Sequence, residues 1–170
     1  NAAAASPDGS CVAVCGDAEF VLVNGGPDGY GTRGASTQHL AINGDPSAAG
    51  VVSGEAAGGM YAAWSPTGEY LAATSDSLHA LAVWRVTVHD VSRADEALHE
   101  RHTPHARVGP VVDPIRIQRV AYFRDHAHPC LPVRFLPSDG DVVVWAERGG
   151  RVHAYDLRCA HTASPGSSSA

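Results

Sequence analysis

An all-β fold assembled from repeated sheets is what this 170-residue sequence predicts. The first observation is one pattern used three times: a proline-glycine turn, an apolar strand, a polar turn and a second apolar strand. Ser6-Pro7-Asp8-Gly9 leads to Cys11–Cys15 and Phe20–Val23, and Ser65-Pro66-Thr67-Gly68 leads to Tyr70–Thr74 and Leu81–Val86. Pro137-Ser138-Asp139-Gly140 leads to Val142–Ala146 and Arg151–Tyr155. A strand–turn–strand unit recurring along a chain marks radial or stacked β architectures. The second observation is that Leu81-Ala82-Val83-Trp84 and Val142-Val143-Val144-Trp145 are apolar without strict alternation, as strands covered on both faces are. Short runs rich in β-branched residues are poor helix formers.

Read as blades about an axis, the units account for the remaining elements in order. Each blade needs an inner strand before its turn. Ala2–Ala5 fills that place in the first unit, Met60–Trp64 in the second and Leu131–Leu136 in the third. The glycine-rich stretch 24–59 is an insertion with room for one short outer strand near His39–Ile42. The stretch 87–114 is a second insertion, in which Ser92 can cap a short helix through Arg101, with Asp95 and Glu96 in its first turn. Pro104 and Pro110 stop that helix, and Ile115–Phe123 reads as an outer strand. The units lie near 2–42, 60–123 and 131–158, within a β region spanning 1–160, and the small-residue tail 162–170 reads as disordered.

Composition narrows the function. Hydrophobic content of 44% and charged content of 18% suit a globular domain with a substantial core. No apolar run reaches the ~18 residues that cross a bilayer, so no membrane contact is expected. A net charge of −6 speaks against a nucleic-acid backbone as partner. All basic residues are arginine, which removes Schiff-base lysines and lysine-containing phosphate loops. Cys11 and Cys15 on one strand stand ~13 Å apart, too far for a disulfide, and the four cysteines read as buried free thiols of a reducing compartment. The chain does not begin with methionine, and Asn1–Ala5 reads as the cut end of a longer protein.

Ser-Pro-Asp-Gly at 6–9, Trp-Ser-Pro-Thr-Gly at 64–68 with Thr74-Ser75-Asp76 and Trp84, and Tyr155-Asp156-Leu157-Arg158 together resemble WD-repeat β-propellers. The likeness covers about half of the chain, the blades without the insertions. It implies a partial WD-type β-propeller of about three antiparallel four-stranded blades with long loop insertions. Asp17 and Asp76 match the family's tight-turn aspartate, Ser75 the hydroxyl before it, and Trp84 and Tyr155 the aromatic closing the third strand. His126 or His128 stands near the histidine of the family's Gly-His pair. Gly149 replaces the turn aspartate in the third unit and Val23 the aromatic in the first. Pro132–Arg158 is similar to a short domain of unknown function in fungal WD-repeat proteins, which implies a cytoplasmic or nuclear fungal scaffold. Since propellers hold ~4–8 blades, the remaining blades are expected in a longer parent chain.

The reading that follows is a non-catalytic scaffold for protein–protein contact, with no cofactor and no metal. Candidate contact residues are Tyr61, Trp64 and Arg134 on or near inner strands, and Asp76 and Arg158 at turns lining one rim. Two other readings compete. Tyr155-Asp156-Leu157-Arg158 resembles the Asp-x-Arg ending of substrate receptors of cullin-type ubiquitin ligases, where the arginine docks an adaptor; the plainer role is Asp156 satisfying turn amides and Arg158 covering the strand end. Ten histidines suggest a metal-binding protein. His99, His102 and His105 are spaced by three, and His126-Ala127-His128-Pro129-Cys130 follows, with Cys130 or Asp95 available as a further ligand. Pro104 interrupts that helix face, and solvated loop histidines are the default. Catalysis lacks support: no Gly-x-Ser-x-Gly elbow is present, and Glu147 and Asp156 form no more than a chance carboxylate pair.

Overall fold

A hydroxyl placed just before a proline folds the first two units. The computed structural model describes residues 2–16, 20–25, 36–40, 42, 61–75, 77–88 and 115–159. Ser6 Oγ accepts the Cys11 N–H at 2.9 Å and donates to Asp8 Oδ1 at 2.6 Å, and the Gly9 N–H returns to the Ser6 carbonyl at 2.9 Å. Ser65 repeats the device: its Oγ accepts the Tyr70 N–H at 3.0 Å and lies 3.1 Å from Thr67 Oγ1, and the Gly68 N–H reaches the Ser65 carbonyl at 2.9 Å. Gly9 and Gly68 have φ of 73° and 76°, a left-handed conformation that glycine adopts without steric cost.

These turns and the hairpins after them build three antiparallel sheets. The first has the order β1 (Ala2–Ala5), β2 (Cys11–Cys15), β3 (Phe20–Asn24), β4 (Ser36–His39). The second runs β5 (Tyr61–Trp64), β6 (Tyr70–Ser75), β7 (Ala80–Val88), β8 (Ile115–Phe123). The third holds β9 (Cys130–Leu136), β10 (Asp139–Glu147) and β11 (Val152–Asp156). The described structure is therefore all-β, as the sequence predicts.

Three details differ from expectation. The third sheet has three strands among the described residues, where four were expected. The short strand inside the 24–59 stretch is Ser36–His39, ahead of the expected His39–Ile42. The third turn is a different one: Leu136 pairs directly with Asp139, so Pro137 and Ser138 alone make the connection and Gly140 belongs to β10. The physical reason is the residue before the proline. Leu136 has no hydroxyl to capture an N–H, so the Ser6 and Ser65 device cannot form. The expected helix from Ser92 to Arg101, the tail 162–170 and most of both insertions lie outside the described residues.

Two cores separate the three sheets, and the middle sheet feeds both. Leu71, Ala73, Ala82, Trp84 and Val86 pack toward Ala13, Cys15, Phe20 and Leu22 of the first sheet. Tyr70, Ala72, Leu81 and Val83 pack toward Val133, Phe135, Val143 and Trp145 of the third. Each face of β6 and β7 is thus an interior face, which explains an apolar run without alternation. At ~1.5–3 kcal/mol for each large apolar side chain buried, these cores outweigh any single hydrogen bond between sheets. An irregularity between Val83 and Trp84 leaves Val120 of β8 as an extra residue. That bulge reverses the facing of the strand, so Ile117 turns to the first core and Ala121 and Phe123 to the second.

The end sheets alternate instead. Val143, Trp145 and Glu147 of β10 point inward, while Val142, Val144 and Ala146 lie half-exposed on the outer face. Val152 of β11 is 71% exposed.

Candidate functional site

Most residues proposed from sequence as contacts or turn elements sit on strands, and three of them, Trp64, Trp84 and Tyr155, make contacts between sheets. Tyr61 and Trp64 are half-buried on β5, and the Trp64 indole N–H donates to the Ala4 carbonyl of β1 at 2.9 Å. Trp84 is buried and packs on Phe20 with ring centroids 5.3 Å apart. Tyr155 meets Phe123 edge-on at 4.7 Å. Ser75 is buried at the end of β6, where its Oγ lies 3.2 Å from Ser77 Oγ and accepts the Leu78 N–H at 3.3 Å. Arg134 is exposed on β9 and donates to the Val133 carbonyl at 2.8 Å. Asp17 and Asp76 lie outside the described residues.

Arg158 is gripped by two carboxylates. Its Nε and one terminal nitrogen donate to the two oxygens of Asp156 at 2.8 and 2.7 Å, and that terminal nitrogen also reaches Asp139 Oδ2 at 3.0 Å. The forked bond to Arg158 holds the Asp156 carboxyl below its ordinary range, against the opposing effect of desolvation. The Arg158 backbone N–H also donates to Asp156 Oδ1 at 3.0 Å, so Asp156 satisfies a turn amide as expected. Asp156 and Glu147 do not face one another: Asp156 pairs with Val142, at the opposite end of β10 from Glu147.

The most concentrated chemistry lies in the third sheet. Glu147, at the end of β10, is only 2% exposed, and its Oε1 is 2.9 Å from His126 Nδ1 and 2.7 Å from His153 Nε2. His126 comes from the β8–β9 connection, and His153 stands on β11 directly opposite Trp145. The Trp145 ring stacks on His153 at 5.0 Å with planes 14° apart and meets His126 edge-on at 5.9 Å. Burial alone would raise the Glu147 carboxyl, but the bonds from His153 and His126 outweigh it and hold the group below its ordinary value. Glu147 Oε2 and the Nε2 of His126 are buried without a hydrogen-bond partner.

The 125–130 segment is fixed from three sides, twice by the β10–β11 turn and once by His79 of the β6–β7 turn. The Arg148 N–H donates to the Pro129 carbonyl at 3.0 Å, and His79 Nδ1 lies 3.1 Å from the His126 carbonyl. Gly149 makes the third contact possible, because a Cβ there would fall 2.2 Å from Cδ2 of His128. The glycine that replaces an expected turn aspartate therefore makes room for a histidine ring.

The sequence reading found the region and missed the partner. The sequence places His126 or His128 near the histidine of a Gly-His pair, and His126 also among histidines weighed as metal ligands or solvated loop residues; in the structure its acceptor is Glu147. The available signal was parity: Val143, Trp145 and Glu147 share the inward face of one strand, and a carboxylate in that series needs donors. His99, His102, His105 and Asp95 lie outside the described residues. Three of the four thiols, Cys11, Cys15 and Cys130, are buried as expected, whereas Cys159 is exposed because it follows the last strand. An open cleft at the end of β7 and β8 is lined by Glu69, Arg85, Arg116 and Gln118, and two of its three charged groups, Arg85 and Glu69, pair with each other.

No protein-family model matches this sequence, and no curated protein is significantly similar to it. Among the described residues no helix is long and apolar enough to cross a membrane.

Proposed function

We propose that this chain is part of a WD-type β-propeller acting as a non-catalytic scaffold for protein–protein contact. One observation carries the reading: β1 lies against β5 and β5 against β9, so the first strands of successive units are neighbours. Within each sheet the other strands follow outward in chain order. A radial stack of blades generates that arrangement. The half-exposed valines of the end faces, Val12, Val14 and Val23 on one side and Val142 and Val144 on the other, have the chemistry of the faces already buried between sheets. They support further blades supplied by a longer parent chain.

A platform of this kind uses its exposed rim and turn residues for contact. Arg134 offers an exposed guanidinium, held among the described residues only by its neighbour's carbonyl and directly opposite Val144 of the apolar outer face, a combination enriched at interfaces. Adaptor docking through Arg158 would first have to draw it from Asp156 and Asp139.

The test is proximity labelling in the native cell, followed by binding of the purified partner to the wild-type chain and to Arg134→Glu. A protein partner retained by the wild type and lost by the variant, with thermal stability unchanged, is the expected result. Equal binding of the purified partner by both proteins, or turnover of a small substrate by the purified chain, would overturn the reading.

A further inference from the structure

We propose that His126, Glu147 and His153 form a site for a divalent transition-metal ion, with Zn²⁺ the ion that fits best. The three potential ligand atoms lie within 4.8 Å of one another, two imidazole nitrogens flanking one carboxylate. Zinc takes such nitrogen and oxygen ligands at ~2.0–2.2 Å, which in a tetrahedron puts ligand atoms about 3.4 Å apart. Against the observed separations of 2.9 and 2.7 Å, that spacing requires the His126 ring to retreat by about 0.5 Å and the His153 ring by about 0.7 Å to admit the ion.

The second oxygen of Glu147 gives independent support. It is buried and unpartnered in a residue that is 2% exposed, a state that costs free energy unless something occupies its lone pairs. An ion bound to Oε1 between the two rings places a positive charge beside the whole carboxylate, its unpartnered oxygen included. The surroundings favour a charge there: Trp145 and Phe123 make low-dielectric walls, which strengthen the attraction between ion and carboxylate. The site is also preorganised, since the Arg148–Pro129 bond, the His79 contact and the close approach at Gly149 fix the segment that carries His126.

The donor set selects the class of ion. Two imidazoles and one carboxylate suit zinc and its first-row neighbours, whereas calcium and magnesium require oxygen-rich shells. His153 retains 31% side-chain exposure, so a fourth coordination position faces solvent and takes a water.

The purified full chain, stripped with chelator, is titrated with Zn²⁺ and separately with Mg²⁺ by calorimetry. The ¹⁵N shifts of the histidine rings are followed in parallel. The expected result is one tightly bound Zn²⁺ per chain, no Mg²⁺ binding, and shifts centred on His126 and His153. Co²⁺ in place of Zn²⁺ should give a tetrahedral visible spectrum and quench Trp145, which stacks on a ligand. Glu147→Gln and His153→Gln should each weaken Zn²⁺ by at least about tenfold, the loss that even outer-shell changes produce. A combined His99→Gln and His102→Gln variant should bind as the wild type does. Absence of Zn²⁺ binding, or shifts confined to other histidines, would overturn the proposal without need of any variant. Unchanged affinity in both ligand variants would overturn it equally.

Discussion

The indole N–H of Trp64 donates to the carbonyl oxygen of Ala4 at 2.9 Å, joining the first strand of one sheet to the first strand of the sheet before it. Two further hydrogen bonds join these sheets near their outer strands, from Gln38 Nε2 to the Ile115 carbonyl at 3.1 Å and from Arg119 to the Ile42 carbonyl at 3.0 Å, and between them the contact is largely apolar. Trp64→Phe keeps much of the aromatic bulk and deletes the donor. It should lower stability by about 1 kcal/mol, the net worth of one such bond. Urea unfolding reads this as a lower midpoint with an unchanged slope. An unaltered midpoint would show that Trp64 serves the interface by its ring alone.

The serines of the second and third turns make a second, sharper comparison. Ser65→Ala removes the acceptor of the buried Tyr70 N–H, which should cost about 1–3 kcal/mol. Ser138 sits exposed in the two-residue third connection. Ser138→Ala should therefore change stability by less than about 0.5 kcal/mol. Equal losses in thermal unfolding would mean that the third turn carries the same device after all.

Much of the fold was legible because its signals are local. Serine-proline turns, glycines needed at positive φ, and apolar runs place β2, β3, β6, β7 and β10 without tertiary information. The doubly covered β7 was legible for a stronger reason: Leu81 and Val83 face one core while Ala82 and Trp84 face the other, and the sequence records both. What escaped was long-range. The bulge at Val120 changes facing without a local marker, and the third turn differs through the single replacement of serine by Leu136. His126, Glu147 and His153 come from three separate elements, so only parity on β10 hinted at their meeting. Asp17 and Asp76 remain outside the described residues.

The alanines of the middle sheet set how closely its neighbours approach. Ala72, Ala73 and Ala82 are fully buried, so an added isobutyl group has no free space. Ala73→Leu should cost about 1–3 kcal/mol through overpacking. Ala154→Leu, on the exposed outer face of β11, should stay within about 0.5 kcal/mol. Calorimetric melting of the two variants separates a face buried between sheets from one that is open in this chain.

The thiols yield a prediction in both reactivity and pH. Cys11, Cys15 and Cys130 are buried and Cys159 is exposed, so near neutral pH a disulfide reagent should modify Cys159 in the native chain and the other three only after unfolding. Burial also pushes the Cys15 thiol up from 9.0 to about 11. The unfolded chain therefore loses this proton at lower pH than the native chain does. Its contribution to stability is fully present below about pH 9, declines as pH rises, and is gone above about pH 11. Desolvation raises the Tyr70 phenol as well, which extends the decline in the same direction. Urea midpoints should accordingly be level from neutral pH to about 9 and then fall, by an amount on the order of 1–3 kcal/mol for Cys15. Cys15→Ala shifts the whole curve through its lost packing but should flatten that fall. An equally steep decline in the variant would assign the alkaline loss to other groups.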